Sequence, residues 1–142
     1  MDHEHEFVDR IDAAAACGFL AVECQFPYDA PADDVRRRLD ATGMELVLLN
    51  APPGDLAAGD RGLGSVRGRD DEFVASIETA ARYAETVGCP RVHVMAGCPT
   101  DGEATDRFVH RIGWAADRLA PAGIDVLIEP MNLRDVPGYL LM

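Results

Sequence analysis

The stretch Val126-Leu127-Ile128-Glu129-Pro130-Met131-Asn132 brings an apolar run to a carboxylate and then to a proline. Pro130 has no amide hydrogen to donate, so regular strand pairing stops there. Parallel α/β proteins present reactive acids and metal ligands in this way, at the carboxyl edge of a strand. Alternation along the run places Asp125, Leu127 and Glu129 on one face and Val126 and Ile128 on the other. The rest of the chain repeats the unit to which this strand belongs.

Four times an amphipathic helical stretch ends at a glycine and gives way to a short apolar run. Gly18, Gly43, Gly88 and Gly123 stand where a helix C-cap calls for a left-handed residue. The helical faces are Phe7, Ile11 and Ala14; Val35 and Leu39; Phe73, Ile77, Ala80, Ala84 and Val87; and Phe108, Ile112, Ala115 and Leu119. The runs after the glycines read as strands: Phe19 to Phe26, Met44 to Asn50, Arg91 to Ala96 and Ile124 to Ile128. Strands alternating with helices imply an α/β fold, with four parallel strands and helices on one side of the sheet. The order αβαβαβαβ opens on a helix where a (β/α) repeat would open on a strand. The expectation is one α/β domain over residues 1–142 whose pattern looks cut at both ends.

Pro52 to Gly68 separates the second strand from its helix and is rich in Gly, Pro and Ala. Connections in α/β units usually run ~2–6 residues, and longer ones are often functional lids. Arg61 and Arg67 lie in it and Arg69 just beyond; they read either as a clamp for a small carboxylate or as solvated loop charges. The glycines do not form G-x-G-x-x-G, which excludes a dinucleotide turn. There is no P-loop, no kinase motif, no nucleophile elbow and no Ser-His-Asp order.

The 142 residues are 48% apolar and suffice for one domain with a sizeable core. No apolar run is long enough to span a membrane, and Met1-Asp2-His3-Glu4-His5-Glu6 is the opposite of a basic signal-peptide start. The expectation is a cytoplasmic protein with no membrane partner. All 13 basic residues are arginines and the formal charge is −12. A chain without lysine forms no lysine Schiff base, and one without a basic stripe is not expected to take nucleic acid as its partner. Cys17, Cys24, Cys89 and Cys98 lack C-x-x-C spacing and read as reduced, mostly buried thiols. His3 and His5 form an H-x-H read as a solvated N-terminal turn rather than a metal site.

Glu129 is the first candidate for chemistry; the plain alternative is a helix-capping or arginine-paired carboxylate. Glu23 sits late in Leu20-Ala21-Val22-Glu23-Cys24-Gln25-Phe26, at an equivalent place, as an acid/base partner or a structural ion-pair member. His93 alternates with Val92 and Val94, and a lone strand histidine is more often a hydrogen-bonded core residue than a ligand.

Several stretches resemble the hydroxypyruvate isomerase family. They are Ala15-Ala16-Cys17-Gly18-Phe19, Val22-Glu23, Phe26-Pro27-Tyr28-Asp29, Ala57-Ala58-Gly59-Asp60-Arg61-Gly62 and Gly68-Arg69-Asp70-Asp71-Glu72-Phe73. Ile128-Glu129-Pro130-Met131-Asn132 and Asp135-Val136-Pro137-Gly138-Tyr139 complete the set. The resemblance implies a xylose-isomerase-like TIM barrel, of which this chain would supply strands two to five of the eight. It implies interconversion of hydroxypyruvate and 2-hydroxy-3-oxopropanoate by a pair of glutamates, with Glu129 as the first. The second glutamate would belong to the final strand. A divalent metal (Mg²⁺ or Mn²⁺) is implied for the complete barrel, with Glu129 among its ligands and the remainder on later strands. Arg61, Glu23 and Asn132 are the candidate contacts for a small hydroxy-keto acid. The resemblance also admits a related sugar-acid isomerase or epimerase, such as a 2-oxo-tetronate isomerase. A different class of reading is a non-catalytic fragment that self-associates through open sheet edges.

Overall fold

The computed structural model describes residues 7–142, so the reading of His3 and His5 lies outside the described residues. The elements are α1 (Phe7–Ala16), β1 (Ala21–Cys24), α2 (Ala32–Thr42), β2 (Glu45–Asn50), α3 (Asp70–Val87), β3 (Arg91–His93), α4 (Ala104–Leu119) and β4 (Asp125–Leu127). A single 3-10 turn, Ala120–Ala122, follows α4. The strands form one open parallel sheet in the order β1-β2-β3-β4. The alternation of helix and strand is the one expected, with four helices.

Local sequence explains the helix ends. Asp33 and Asp34 open α2, and Asp70, Asp71 and Glu72 open α3, where the partial positive charge of the helix N-terminus favours anions. Gly43, Gly88 and Gly123 then turn the chain at φ 67°, 72° and 69°. The core fills the space between these helices and one face of the sheet. Val35, Leu39, Leu49, Ile77, Val87, Val92 and Leu119 are fully buried there. Each such side chain stabilises the fold by about 1.5–3 kcal/mol relative to exposure.

The β1–β2 pairing contains an irregularity that strict alternation does not anticipate. Val22 pairs with Leu46 but Glu23 pairs with Leu48, so Val47 is the extra residue of a bulge. Below the bulge Leu46 joins the helix-side core; above it Leu49 does so instead. Leu48 and Asn50 are thereby turned to the opposite, inner face.

Strand β3 is shorter than the expected Arg91 to Ala96. Beyond His93 its carbonyls leave the sheet and serve the long loop: Gly64 N–H donates to Met95 O at 3.1 Å and Ser65 N–H to Ala96 O at 2.7 Å. Contact is so close that a Cβ on Gly62 would stand 2.4 Å from Met95 O, and one on Gly97 2.4 Å from Gly62 O. Glycine is required at both positions.

Most of Pro52 to Gly68 is therefore an anchored platform, with Leu63 to Ser65 buried and an exposed tip over 55–59. Arginines from neighbouring elements hold it. Arg111 on α4, 4% exposed, donates to Leu63 O at 2.5 Å, Val66 O at 3.0 Å and Asp70 Oδ1 at 2.8 Å. Its guanidinium also lies over the Phe73 ring, 5.3 Å from the centroid. Arg107 donates to Ser65 O and to Asp101, whose carboxyl it holds down at a pKa of about 2. Arg69 bridges Asp60 and Glu72.

All four cysteines are free thiols, but the expectation that they are mostly buried is corrected. Only Cys89 is buried; Cys17 is exposed, and Cys24 and Cys98 are half-buried. Cys17 follows the last turn of α1, and Cys24 packs against the core from the outer strand β1 and is only partly covered.

Arg111→Met keeps the apolar stem but removes every donor, leaving two loop carbonyls and Asp70 without their partner. The loss expected is about 2–4 kcal/mol. Urea unfolding should show a lower midpoint at unchanged slope; a loss below about 1 kcal/mol would contradict this role for Arg111.

Candidate active site

The inner face of the sheet, opposite the core, borders an open cavity of about 520 Å³. Glu23 and Gln25 line it from β1 and its continuation, Leu48 and Asn50 from β2, His93 from β3, and Leu127 to Glu129 from the end of β4. Around the free edge of β1 it continues to Phe7, Arg10 and Ile11 of α1. Glu129 stands on this face, away from the core, as alternation from Leu127 requires. Ile128 departs from alternation: it lies past the end of β4, half exposed, and borders the cavity too.

Register brings the polar residues to one level. Asn50 pairs with His93, His93 pairs with Leu127, and Asn50 N–H donates to Gln25 O at 2.9 Å. Gln25, Asn50, His93 and Leu127 thus form a row across the sheet, with Glu129 two residues further on. Tyr28 supports the row by donating its hydroxyl to Asn50 O at 2.5 Å.

His93 is 3% exposed. Its Nδ1 is 3.2 Å from Asn50 Oδ1 and 3.9 Å from Glu129 Oε2, while Nε2 has no hydrogen-bond partner among the described residues. An unsatisfied buried nitrogen of this kind costs about 1–3 kcal/mol. Burial pushes the imidazole pKa below its ordinary value, and the Glu129 carboxylate offsets part of that shift. His93 is therefore neutral at neutral pH. Glu129 itself is 64% exposed at the mouth.

The other expected site residues are placed differently. Glu23 shares the cavity with Glu129. Arg61 lies on the platform, donating to Asp60 O at 2.7 Å, near enough to Cys98 for its charge to bear on that thiol; it does not line the cavity. Asn132 is exposed, and its Oδ1 accepts the Arg134 N–H at 2.9 Å, opening a turn. Sequence reasoning left Asn50 and Gln25 unremarked. Gln25 follows β1 in alternation with Glu23, a signal the sequence held, whereas the face taken by Asn50 is set by the bulge, which alternation alone does not show. Tyr139 is buried, and its hydroxyl accepts the Ala96 N–H at 2.8 Å, folding the segment after Glu129 back over the end of β3.

The divalent metal implied by the resemblance lacks a full ligand set here. Among the described residues no three His, Cys, Asp or Glu side chains converge on a possible metal position. Among them, too, no helix is long and apolar enough to cross a membrane.

Comparison with known proteins places this architecture. The family described as Xylose isomerase-like TIM barrel matches residues 11–141, and the chain belongs to it. The 2-oxo-tetronate isomerase of Cupriavidus necator is 48% identical over 99% of this chain and 56% of its own length. Hydroxypyruvate isomerase of Escherichia coli is 36% identical, over 97% and 55%. The crystal structure titled AP endonuclease, family 2, from Brucella melitensis superposes with a TM-score of 0.94 at 42% identity. That match covers 99% of this chain and 56% of the other. The chain spans about half the length of the curated relatives it matches.

The sign of the His93 shift is testable by NMR titration of its ring. Its midpoint should fall below the ordinary ~6.5, and Glu129→Gln should lower it further by removing a charge that favours imidazolium. Unfolded chain takes up this proton first as pH falls, so His93 erodes folding stability below about pH 6.5. A midpoint that rises in Glu129→Gln would contradict the assigned electrostatics.

Proposed function

We propose that the chain carries the first-glutamate half of a sugar-acid isomerase, with Glu129 moving a proton between adjacent carbons of a short hydroxy-oxo acid. The observation that carries this reading is the Glu129 carboxylate, delivered by β4 to the mouth of the inner-face cavity beside His93. Its relatives named hydroxypyruvate isomerase and 2-oxo-tetronate isomerase support the isomerase class. With hydroxypyruvate, Glu129 removes a proton from the hydroxymethyl carbon and an enediolate forms. Protonation of the neighbouring carbon, with transfer of the hydroxyl proton to the former carbonyl oxygen, yields 2-hydroxy-3-oxopropanoate. Glu23 serves as a contact within the cavity. Arg61 and Asn132 would reach substrate from outside it, on the platform and on the segment after Glu129. Of the described residues, a Mg²⁺ or Mn²⁺ ion would draw on Glu129 as ligand, and no step above passes through it.

The 2-oxo-tetronate reading is the alternative substrate assignment. It is favoured by the higher identity, 48% against 36%. Both acids place a hydroxyl-bearing carbon beside a ketone, so one base serves either. A cytoplasmic location and pairing of copies through the open edges of β1 and β4 belong to the same proposal.

Enolisation needs one base, whereas net isomerisation needs the second proton transfer as well. In D₂O the chain should exchange the hydroxymethyl protons of hydroxypyruvate while accumulating little 2-hydroxy-3-oxopropanoate, and Glu129→Gln should slow exchange ~10²–10⁴-fold. Exchange that survives the substitution would remove Glu129 from the mechanism. Sedimentation of the same sample should show a dimer or larger species.

A further inference from the structure

The ring that lies beside the candidate base is not itself among the expected site residues. Glu129 is largely exposed, and no hydrogen bond among the described residues holds its carboxylate. The ring of His93 lies beside it, buried and immobilised between β2 and β4. Two groups face Nδ1, and the carboxylate of Glu129 can only accept a hydrogen bond. Asn50 Oδ1, at 3.2 Å, accepts as well. Two acceptors thus lie toward Nδ1, while Nε2 has no hydrogen-bond partner among the described residues.

We propose that His93 is the positioning residue for Glu129: Asn50 orients the ring, and Nδ1–H draws the carboxylate into one geometry over the cavity. The separation of 3.9 Å closes to a hydrogen bond by a modest side-chain rotation of the exposed Glu129. A hydrophobic residue would fill this interior position without leaving a nitrogen unsatisfied. Retaining a ring with one edge unsatisfied makes sense where the other edge orients a reactive group. The role rests on the isomerase reading only where turnover is concerned, since the Asn50–His93–Glu129 chain is a property of the protein alone.

Two measurements separate these. Long-range ¹H–¹⁵N correlation on the 142-residue chain reads the tautomer directly. The Nδ1–H form is expected, with its Nδ1 resonance displaced in Glu129→Gln and in Asn50→Leu. An Nε2–H tautomer, or an Nδ1 signal indifferent to Glu129→Gln, overturns the proposal whatever the activity. The second measurement is hydroxypyruvate proton exchange in paired variants. His93→Asn keeps a donor near the Nδ1 position, and His93→Gln keeps one near Nε2. His93→Asn should hold kcat within ~3-fold of the parent, and His93→Gln should lose ~10–100-fold in kcat with little change in KM. Equal losses, or the reverse order, overturn the assignment of the working edge. An absence of exchange in the parent chain removes the isomerase reading and leaves the NMR result to decide the His93–Glu129 link.

Discussion

The buried guanidinium of Arg111 is the interaction on which the site's geometry depends. It gathers two carbonyls of the long loop and the first carboxylate of α3 onto α4, and the loop thereby becomes a platform. The platform in turn takes the hydrogen bonds of Met95 and Ala96, drawing the chain out of the sheet two residues after His93. A strand that ends at this point leaves His93 on the row with Asn50, at the level from which Glu129 emerges. The cost of burying an arginine is offset by the number of acceptors it satisfies at once, together with the Phe73 face.

Much of the fold was legible in the sequence because its determinants are local. Glycines at helix ends, apolar residues at three- and four-residue steps and short apolar runs identified four helices and four parallel strands. The proline after Glu129 marked a limit for β4, which in fact stops at Leu127. Other features depend on partners distant in sequence and left no local signature. The bulge at Val47 appears only when β2 is set against β1, and it decides that Leu48 and Asn50 face the cavity. Arg111 occupies an ordinary helical position, and nothing near it announces that it serves carbonyls 45 and 48 residues away. The thiols were misjudged for a related reason, since cysteine spacing does not say which neighbours cover Cys17, Cys24 or Cys98.

The site divides along the same line. Glu129 and Glu23 could be chosen from strand position and alternation, and both border the cavity. The cooperation of Asn50 and His93 could not be read, because it arises from inter-strand register. Arg61 and Asn132 were chosen for side-chain chemistry; the structure engages Arg61 with the backbone of its own loop and Asn132 with a local turn. Membership of the xylose isomerase-like TIM-barrel family accounts for the parallel strands and the one-sided helical layer.

Under the proposed function, the inner face of this sheet, at the row Gln25-Asn50-His93 with Glu129 above it, receives a short hydroxy-oxo acid. Amide chemical-shift mapping of the chain during titration with hydroxypyruvate tests it most directly. Displacements concentrated at Gln25, Asn50, His93 and residues 127–129, with the helices unmoved, are the predicted result. Displacements confined to the outer helical layer, or none at substrate concentrations that saturate the family's enzymes, would contradict it.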